Sequence, residues 1–352
     1  MGTPKQVQRG AHKRIRAAQE TIRRSLQLAA AGNPLGAETE VGRLIARLQV
    51  TALLSPERAE AAAAEIRAAA HEDRADGKSP VASVGLFRVI DLPDFVGVAF
   101  LERGMRVARA VARVTLLDGK WQGSGVMISD RLFLTNNHVI RTAEVASRMA
   151  VEFAYERDTA DQPVQPTRYA LAPSDLFVAD GLDDLDYTLV AIGSKLGGPG
   201  ELQDFGWCPL STGADDHALG EVANIVQHPD GRHKEVVIRE NRLVSRPSRV
   251  LHYVADTDIG SSGSPVFNNE WKIIALHHYG EPSLQIEDEN GQRVPREVNE
   301  GIRVSAIVGE LRERLDKLPA AQRALLREAL SLGEKRVMPP VTCTGKGGNG
   351  CG

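Results

Sequence analysis

From residue 11 to about 74 the apolar positions recur with a helical period. Ile15, Ala18, Ile22, Leu26 and Ala29 fall on one face, and Val41, Leu44, Ile45 and Leu48 on another, the spacing of amphipathic helices. Asn33, Pro34 and Gly36 separate the first helix from the second. Ser55-Pro56 places a hydroxyl at an N-cap and a proline in the first turn, opening a third helix that runs to His71. Residues 75–80, ADGKSP, read as a linker. After residue 106 the pattern changes to β-rich runs, VARAVARVTLL, GSGVMI, RLFLTNNHVI and EVANIVQHP, divided by turns such as Ser129-Asp130 and Pro229-Asp230-Gly231. Many short strands without long helices between them predict an all-β sandwich or barrel. Helical period returns near Ser305, where Ile307, Val308, Leu311 and Leu315 share a face, and Pro319 restarts a helix ending near Gly333. The expected organisation is a helical bundle over 1–75, a linker and lead-in over 76–105, a β domain over 106–318, a C-terminal helix over 319–334 and a disordered Gly/Cys tail over 335–352.

The length of 352 residues exceeds what one hydrophobic core usually serves, so a domain of roughly 200 residues with smaller appendages is expected. A net charge of −3 gives no basic field to draw the chain onto nucleic acid or an anionic membrane, and neither partner is expected. The three cysteines are Cys208, Cys343 and Cys351, so the β domain holds no disulfide framework of its own. That usage points to a reducing compartment. The N-terminus has positive charges without an apolar stretch after them, and no run of about 18 apolar residues follows. A cytoplasmic protein is the expectation, and abundant Ala and Arg suggest a GC-rich bacterial genome. Cys343 and Cys351 lack nearby histidines and are too few for a closed zinc site. No metal or cofactor is expected.

Acyl transfer to a serine requires a hydroxyl, a base for its proton, an acid to orient that base, and donors for the oxyanion. One candidate for each occurs, in the order His138, Asp186, Ser262. His138 ends a strand in TNNHV, and Asp186 opens the apolar strand Tyr187-Thr188-Leu189-Val190. Ser262 lies in the glycine-bounded turn Gly260-Ser261-Ser262-Gly263-Ser264-Pro265. The amides of Gly260 and Ser262 are candidates for the oxyanion hole. Asp183 and Asp184 compete with Asp186, but neither precedes an apolar strand. A lone histidine after a strand or a lone Gly-Ser-Ser-Gly is usually structural; three segments in this order are more specific.

TNNHV, DYTLV and GSSGSPVF together resemble the trypsin-like (chymotrypsin-fold) serine proteases, particularly the bacterial branch that includes glutamyl endopeptidases, over about residues 106 to 310. The resemblance implies an all-β double six-stranded Greek-key barrel with an N-terminal helical region and a C-terminal helix. It also implies His138 as general base, Asp186 as its orienting partner and Ser262 as nucleophile. Ser261 stands where zymogen-type relatives have an aspartate, so activation by a buried new ammonium is not available. Asp256 occupies the place of the trypsin-like pocket-base carboxylate, implying a preference for Arg or Lys before the cleaved bond. Thr257, His278 and Gly280 complete the expected pocket, and His278 with Thr257 suits instead the glutamyl-endopeptidase pattern. His228 resembles a hairpin feature of that branch and is read as structural. The expected function is a serine endopeptidase acting on a specific intracellular protein, with the N-terminal helices as a possible partner-binding region. The alternatives are a catalytically silent protease-fold binding module and a protease preferring glutamate.

Overall fold

The computed structural model describes residues 4–75, 96–211, 213, 216–239, 241–287 and 293–335. The expected tail and most of the 76–105 linker, with Cys343 and Cys351, lie outside them.

Four helices open the chain: α1 (Lys5–Ala17), α2 (Gln19–Ala30), α3 (Val41–Thr51) and α4 (Pro56–Ala75). Three were expected; Ala18, with φ −95 and ψ 4, divides the first in two. Val7, Ala11 and Ile15 form the buried stripe of α1. With Ile22 of α2 they enclose an apolar cluster that includes Val244, Tyr279 and Val298 of the β domain. The helices α3 and α4 pack on each other through Leu44, Leu48, Ala59, Ala63 and Ile66. Buried Arg47 ties α3 to the β domain through Glu221 at 3.0 Å and Glu270 at 2.9 Å. A buried cation between two carboxylates is a selective contact, because removing either side strands a charge.

A further helix, α5 (Ala99–Arg109), occupies residues expected to begin a strand at about 106. The run VARAVARVTLL is therefore helix in its first residues and strand from Val111 onward. Phe100, Gly104 and Val107 make one helical face. Phe100 packs on Trp271 at a ring-centroid distance of 4.9 Å and accepts the indole N–H on its carbonyl at 2.8 Å.

The first sheet comprises β1 (Val111–Leu116), β2 (Trp121–Met127), β3 (Leu132–Asn136), β4 (Met149–Phe153), β5 (Thr167–Leu171), β6 (Phe177–Asp180) and β7 (Tyr187–Gly197). Its order is β3-β2-β1-β4-β5-β7, and β3 pairs with β7 to close the ring. β5 and β6 lie along the same edge of β7, successive parts of one broken strand, giving a closed six-stranded barrel. The second sheet holds β8 (Asn224–Gln227), β9 (Glu235–Val237), β10 (Arg242–Ser245), β11 (Val250–Val254), β12 (Pro265–Phe267), β13 (Ile273–Glu287) and β14 (Arg293–Arg303). Its order is β10-β11-β14-β13-β12-β8-β9, a half-barrel. The segment leading into β8 bonds to β10 through Gly220 N–H to Leu243 O and Leu243 N–H to Glu221 O, both 2.9 Å. Two terminal helices, α6 (Val304–Leu315) and α7 (Ala320–Lys335), pack on the first barrel through Ile307, Val308, Leu311, Leu326 and Leu330. This is the expected chymotrypsin-like fold with helices at both ends.

Candidate active site

TNNHV owes its composition to the junction it makes. The Thr135 hydroxyl donates to Ser124 O at 2.7 Å. Both the Asn136 side-chain amide and the Asn137 backbone N–H donate to Asp186 O, at 3.0 and 3.1 Å. Asn137 Nδ2 also reaches Thr188 Oγ1 at 3.1 Å. His138 and Asp186 are thus locked together by backbone before their side chains meet. Asp186, with φ 43 in the left-handed region, turns its carboxylate back toward His138. Asp186 Oδ1 accepts the His138 amide at 2.9 Å and Oδ2 faces Nδ1 of the ring at 2.7 Å. Burial disfavours the charged carboxylate, but the attraction and hydrogen bonds of His138, then of His278, outweigh it and hold Asp186 down to about 2. An ionised carboxylate only accepts, so Nδ1 of His138 carries the proton and Nε2 keeps its lone pair.

The Ser262 loop comes from the second sheet and is fastened to the first at Ser124. Ser124 N–H donates to Ser262 O at 2.9 Å. Its hydroxyl donates to Gly260 O at 3.0 Å and accepts the His228 amide at 3.1 Å. Gly263, with φ 86, tolerates no side chain, since a Cβ there would lie 2.1 Å from Ser124 O. Gly260 has φ 101, and its would-be Cβ faces His228 O at 2.9 Å. Ile259 O accepts from Asp230 N–H and Ser261 O from Ser264 N–H. In a trans peptide the N–H points opposite the C=O, so the Gly260 and Ser262 amides point away from those partners. Among the described residues neither amide donates a hydrogen bond within the chain. Two such donors beside a half-buried serine suit a developing oxyanion. The hydroxyl of buried Ser261 accepts Asp258 N–H at 3.2 Å, so a neutral local bond occupies the place of the zymogen-type aspartate.

Of the expected pocket residues, Asp256 is exposed and lines a cleft of about 580 Å³ with Gln227, Arg232, Arg239, Thr257 and Asp258. It is not the buried carboxylate that the pattern implied. Thr257 donates to Asn299 Oδ1 at 2.6 Å, and a Cβ at Gly280 would meet both side chains. Thr257, Asn299 and Gly280 therefore form one polar wall. His278 is elsewhere: buried behind Asp186, with Nδ1 3.2 Å from Asp186 Oδ2 and Nε2 2.8 Å from Glu300 Oε1.

The reason is a bulge. On β13, His277 pairs with Gly301 and Tyr279 with Glu300, leaving His278 as the extra residue, and a bulge re-aims its side chain. A ring whose two nitrogens both face carboxylates donates through both only as imidazolium. Burial opposes that charge, but the bonds to Asp186 and Glu300 push His278 up to about 9. Glu300 Oε2 also accepts from His252 Nε2 at 2.9 Å, and Arg14 of α1 reaches both Glu300 oxygens at 2.9 and 2.6 Å. Neither Glu300 nor Arg14 was singled out at the sequence level as part of the site. The available signal was a glutamate on the same strand face as Val298 and Ile302, all fully buried.

Residues 123–276 match the family model described as Trypsin-like peptidase domain. The matched segment includes His138, Asp186 and Ser262. The chain is 36% identical over 254 residues to the uncharacterized protein y4fB of Sinorhizobium fredii (strain NBRC 101917 / NGR234); the alignment covers 63% of this chain and 38% of the relative. The crystal structure of Rv3671c protease, inactive form, aligns with a TM-score of 0.36 and 17% identity, covering 62% of this chain and 95% of that one.

The described residues include no helix long and apolar enough to cross a membrane, and no cluster of His, Cys, Asp or Glu suited to a metal ion. Cys208 is buried and unpaired, and burial pushes its thiol up, away from reactivity.

Proposed function

We propose that this chain is a serine endopeptidase that hydrolyses peptide bonds through an acyl-enzyme on Ser262. The observation that carries the reading is the His138–Asp186 pair at 2.7 Å, formed in one barrel while the Ser262 loop of the other is fastened to it through Ser124. His138 Nε2 takes the Ser262 hydroxyl proton as Oγ attacks the scissile carbonyl, and Asp186 holds the resulting imidazolium. The Gly260 and Ser262 amides receive the negative charge on the carbonyl oxygen. His138 then returns the proton to the leaving amine, and water repeats the sequence on the ester.

The substrate is a protein, and the preferred side chain before the cleaved bond is Arg or Lys through Asp256. Because Asp256 is exposed, solvent screens it, and the preference is modest. A glutamate preference has one observation in its favour, the uncharged Thr257–Asn299–Gly280 wall; His278, bound on both nitrogens, contributes nothing there. Action on one intracellular partner belongs to the same proposal, and the free Cys208 thiol in the core suits a reducing compartment.

Labelling with a fluorophosphonate, read by intact mass, tests the reading. One adduct is expected on the wild-type chain and none on Ser262→Ala. A folded wild-type chain that takes no adduct would move the assignment to a protease-fold binding module.

A further inference from the structure

The buried cluster behind Asp186 extends beyond what an acyl-transfer site requires. In sequence, its members are far apart: Arg14 on α1, Asp186 at the start of β7, His252 on β11, His278 on β13 and Glu300 on β14. In space they form a continuous chain of contacts, His138 to Asp186 at 2.7 Å, Asp186 to His278 at 3.2 Å, His278 to Glu300 at 2.8 Å and Glu300 to Arg14 at 2.6 Å. Asp186, His252, His278 and Glu300 have almost no contact with solvent. Two carboxylates and one imidazolium leave this group one negative charge in excess. His252 meets Glu300 through Nε2, and its Nδ1 has no hydrogen-bond partner among the described residues. The Arg14 guanidinium supplies the missing positive charge, with two bonds to Glu300 and a field that extends to Asp186.

We propose that Arg14 is a positioning residue of the catalytic site: by neutralising the buried cluster behind Asp186, it makes the docking of α1 a condition of efficient catalysis. This rests on the peptidase reading above. Arg14 touches no reacting atom and acts through Glu300, His278 and Asp186 in turn. Removing its charge leaves one uncompensated negative charge in the second sheet, which favours the protonated form of His138 and so lessens the supply of free base. The helix is held for this task by two further contacts: its apolar stripe on Val244, Tyr279 and Val298, and Tyr279 OH with His12 Nε2 at 2.7 Å. Asp186 bonds His138 directly and His277 lies within its field; the further titratable groups are joined through them or packed beside them, His278, Glu300, His252 and Arg14 behind Asp186, Tyr253 on His277, and His12 on Tyr279. Burial keeps His277, bonded to Tyr253 OH at 2.7 Å, neutral near pH 7. Arg14 is thus the charged group of this set supplied by the N-terminal helices.

Two full-chain variants separate charge from packing. Arg14→Met keeps most of the aliphatic stem and removes the charge; Arg14→Lys keeps the charge. Histidine-selective NMR titration reads the His138 proton directly, without need of turnover, and the fluorophosphonate labelling rate against pH reads the base in action. In Arg14→Met, His138 is expected to titrate about half a pH unit higher and the acid limb of labelling to move with it. The rate at pH 6 falls about threefold, the same half unit expressed as a rate. Arg14→Lys restores both. A folded Arg14→Met chain with an unmoved His138 titration would overturn the proposal. A displaced His138 titration in Arg14→Met, together with a wild-type chain that takes no adduct, would uphold the charge coupling while defeating the peptidase reading.

Discussion

Asp256 illustrates how a side chain's environment, more than its position in a motif, sets its worth. A carboxylate buried at a pocket base discriminates strongly, because an unmatched substrate leaves it unpaired; the same carboxylate in contact with water is screened. Asp256 is of the second kind. Replacing it with Ser should lower the Arg/Lys-over-Leu ratio of kcat/KM by about threefold, on the order of 0.6 kcal/mol, measured on a peptide panel. An unchanged ratio would leave specificity to Thr257, Asn299 and Gly280. His278 makes the complementary point. Its type and spacing suggested a role in the pocket, but a one-residue bulge turned it to the other side of the strand, where it lies between Asp186 and Glu300. No pattern in the primary structure announced that bulge.

Among elements, the decisive junction is that of β2 with the Ser262 loop. The Ser124 hydroxyl serves two backbone groups of the second sheet, Gly260 O and His228 N–H. Ser124→Ala would leave both buried groups unsatisfied, and an expected loss of about 1–3 kcal/mol follows. Urea denaturation would read the loss. The labelling rate should fall with it, because the turn carrying Ser262 loses its anchor. Wild-type stability in Ser124→Ala would mean that water replaces the hydroxyl. The strands flanking the three motifs were legible because short apolar and β-branched runs, buried at successive positions, lie between turn residues there. Helix α5 was not, since Val107 and Ala108 fit either period. Its packing on Trp271, a residue more than 160 positions away, resolves the ambiguity. The stretch of α1 and α2 reads as a single amphipathic helix, in which the break at Ala18 was not legible. Their partner surface on the second sheet was invisible, because an apolar stripe says that it is covered and not by what.

For the molecule as a whole, the buried cluster makes stability depend on pH. Asp186 titrates at about 2 when folded and near 3.8 when not, so its contribution is present above pH 4 and fades as pH falls toward 2. His278 titrates at about 9 when folded against 6.5, so its contribution is complete below pH 6.5 and disappears as pH rises through 9. Each is worth on the order of 2–3 kcal/mol, and because they share a contact the two do not simply add. Urea denaturation at successive pH values should find these contributions intact between pH 4 and 6.5 and declining on either side. A flat profile from 6.5 to 9 would mean that His278 is neutral.

The order of His138, Asp186 and Ser262, the short β-rich runs around them and the glycines at 260 and 263 are local properties, set by which side chains a strand or a tight turn accepts. They could be read directly along the chain, together with the β class and the helical ends. The union of the two sheets at Ser124, the neutralisation of Glu300 by Arg14 286 positions away, the exposure of Asp256 and the burial of His278 could not. Each depends on which surfaces meet after folding, and electrostatic and packing energies fall off with distance in space, whatever the separation along the chain.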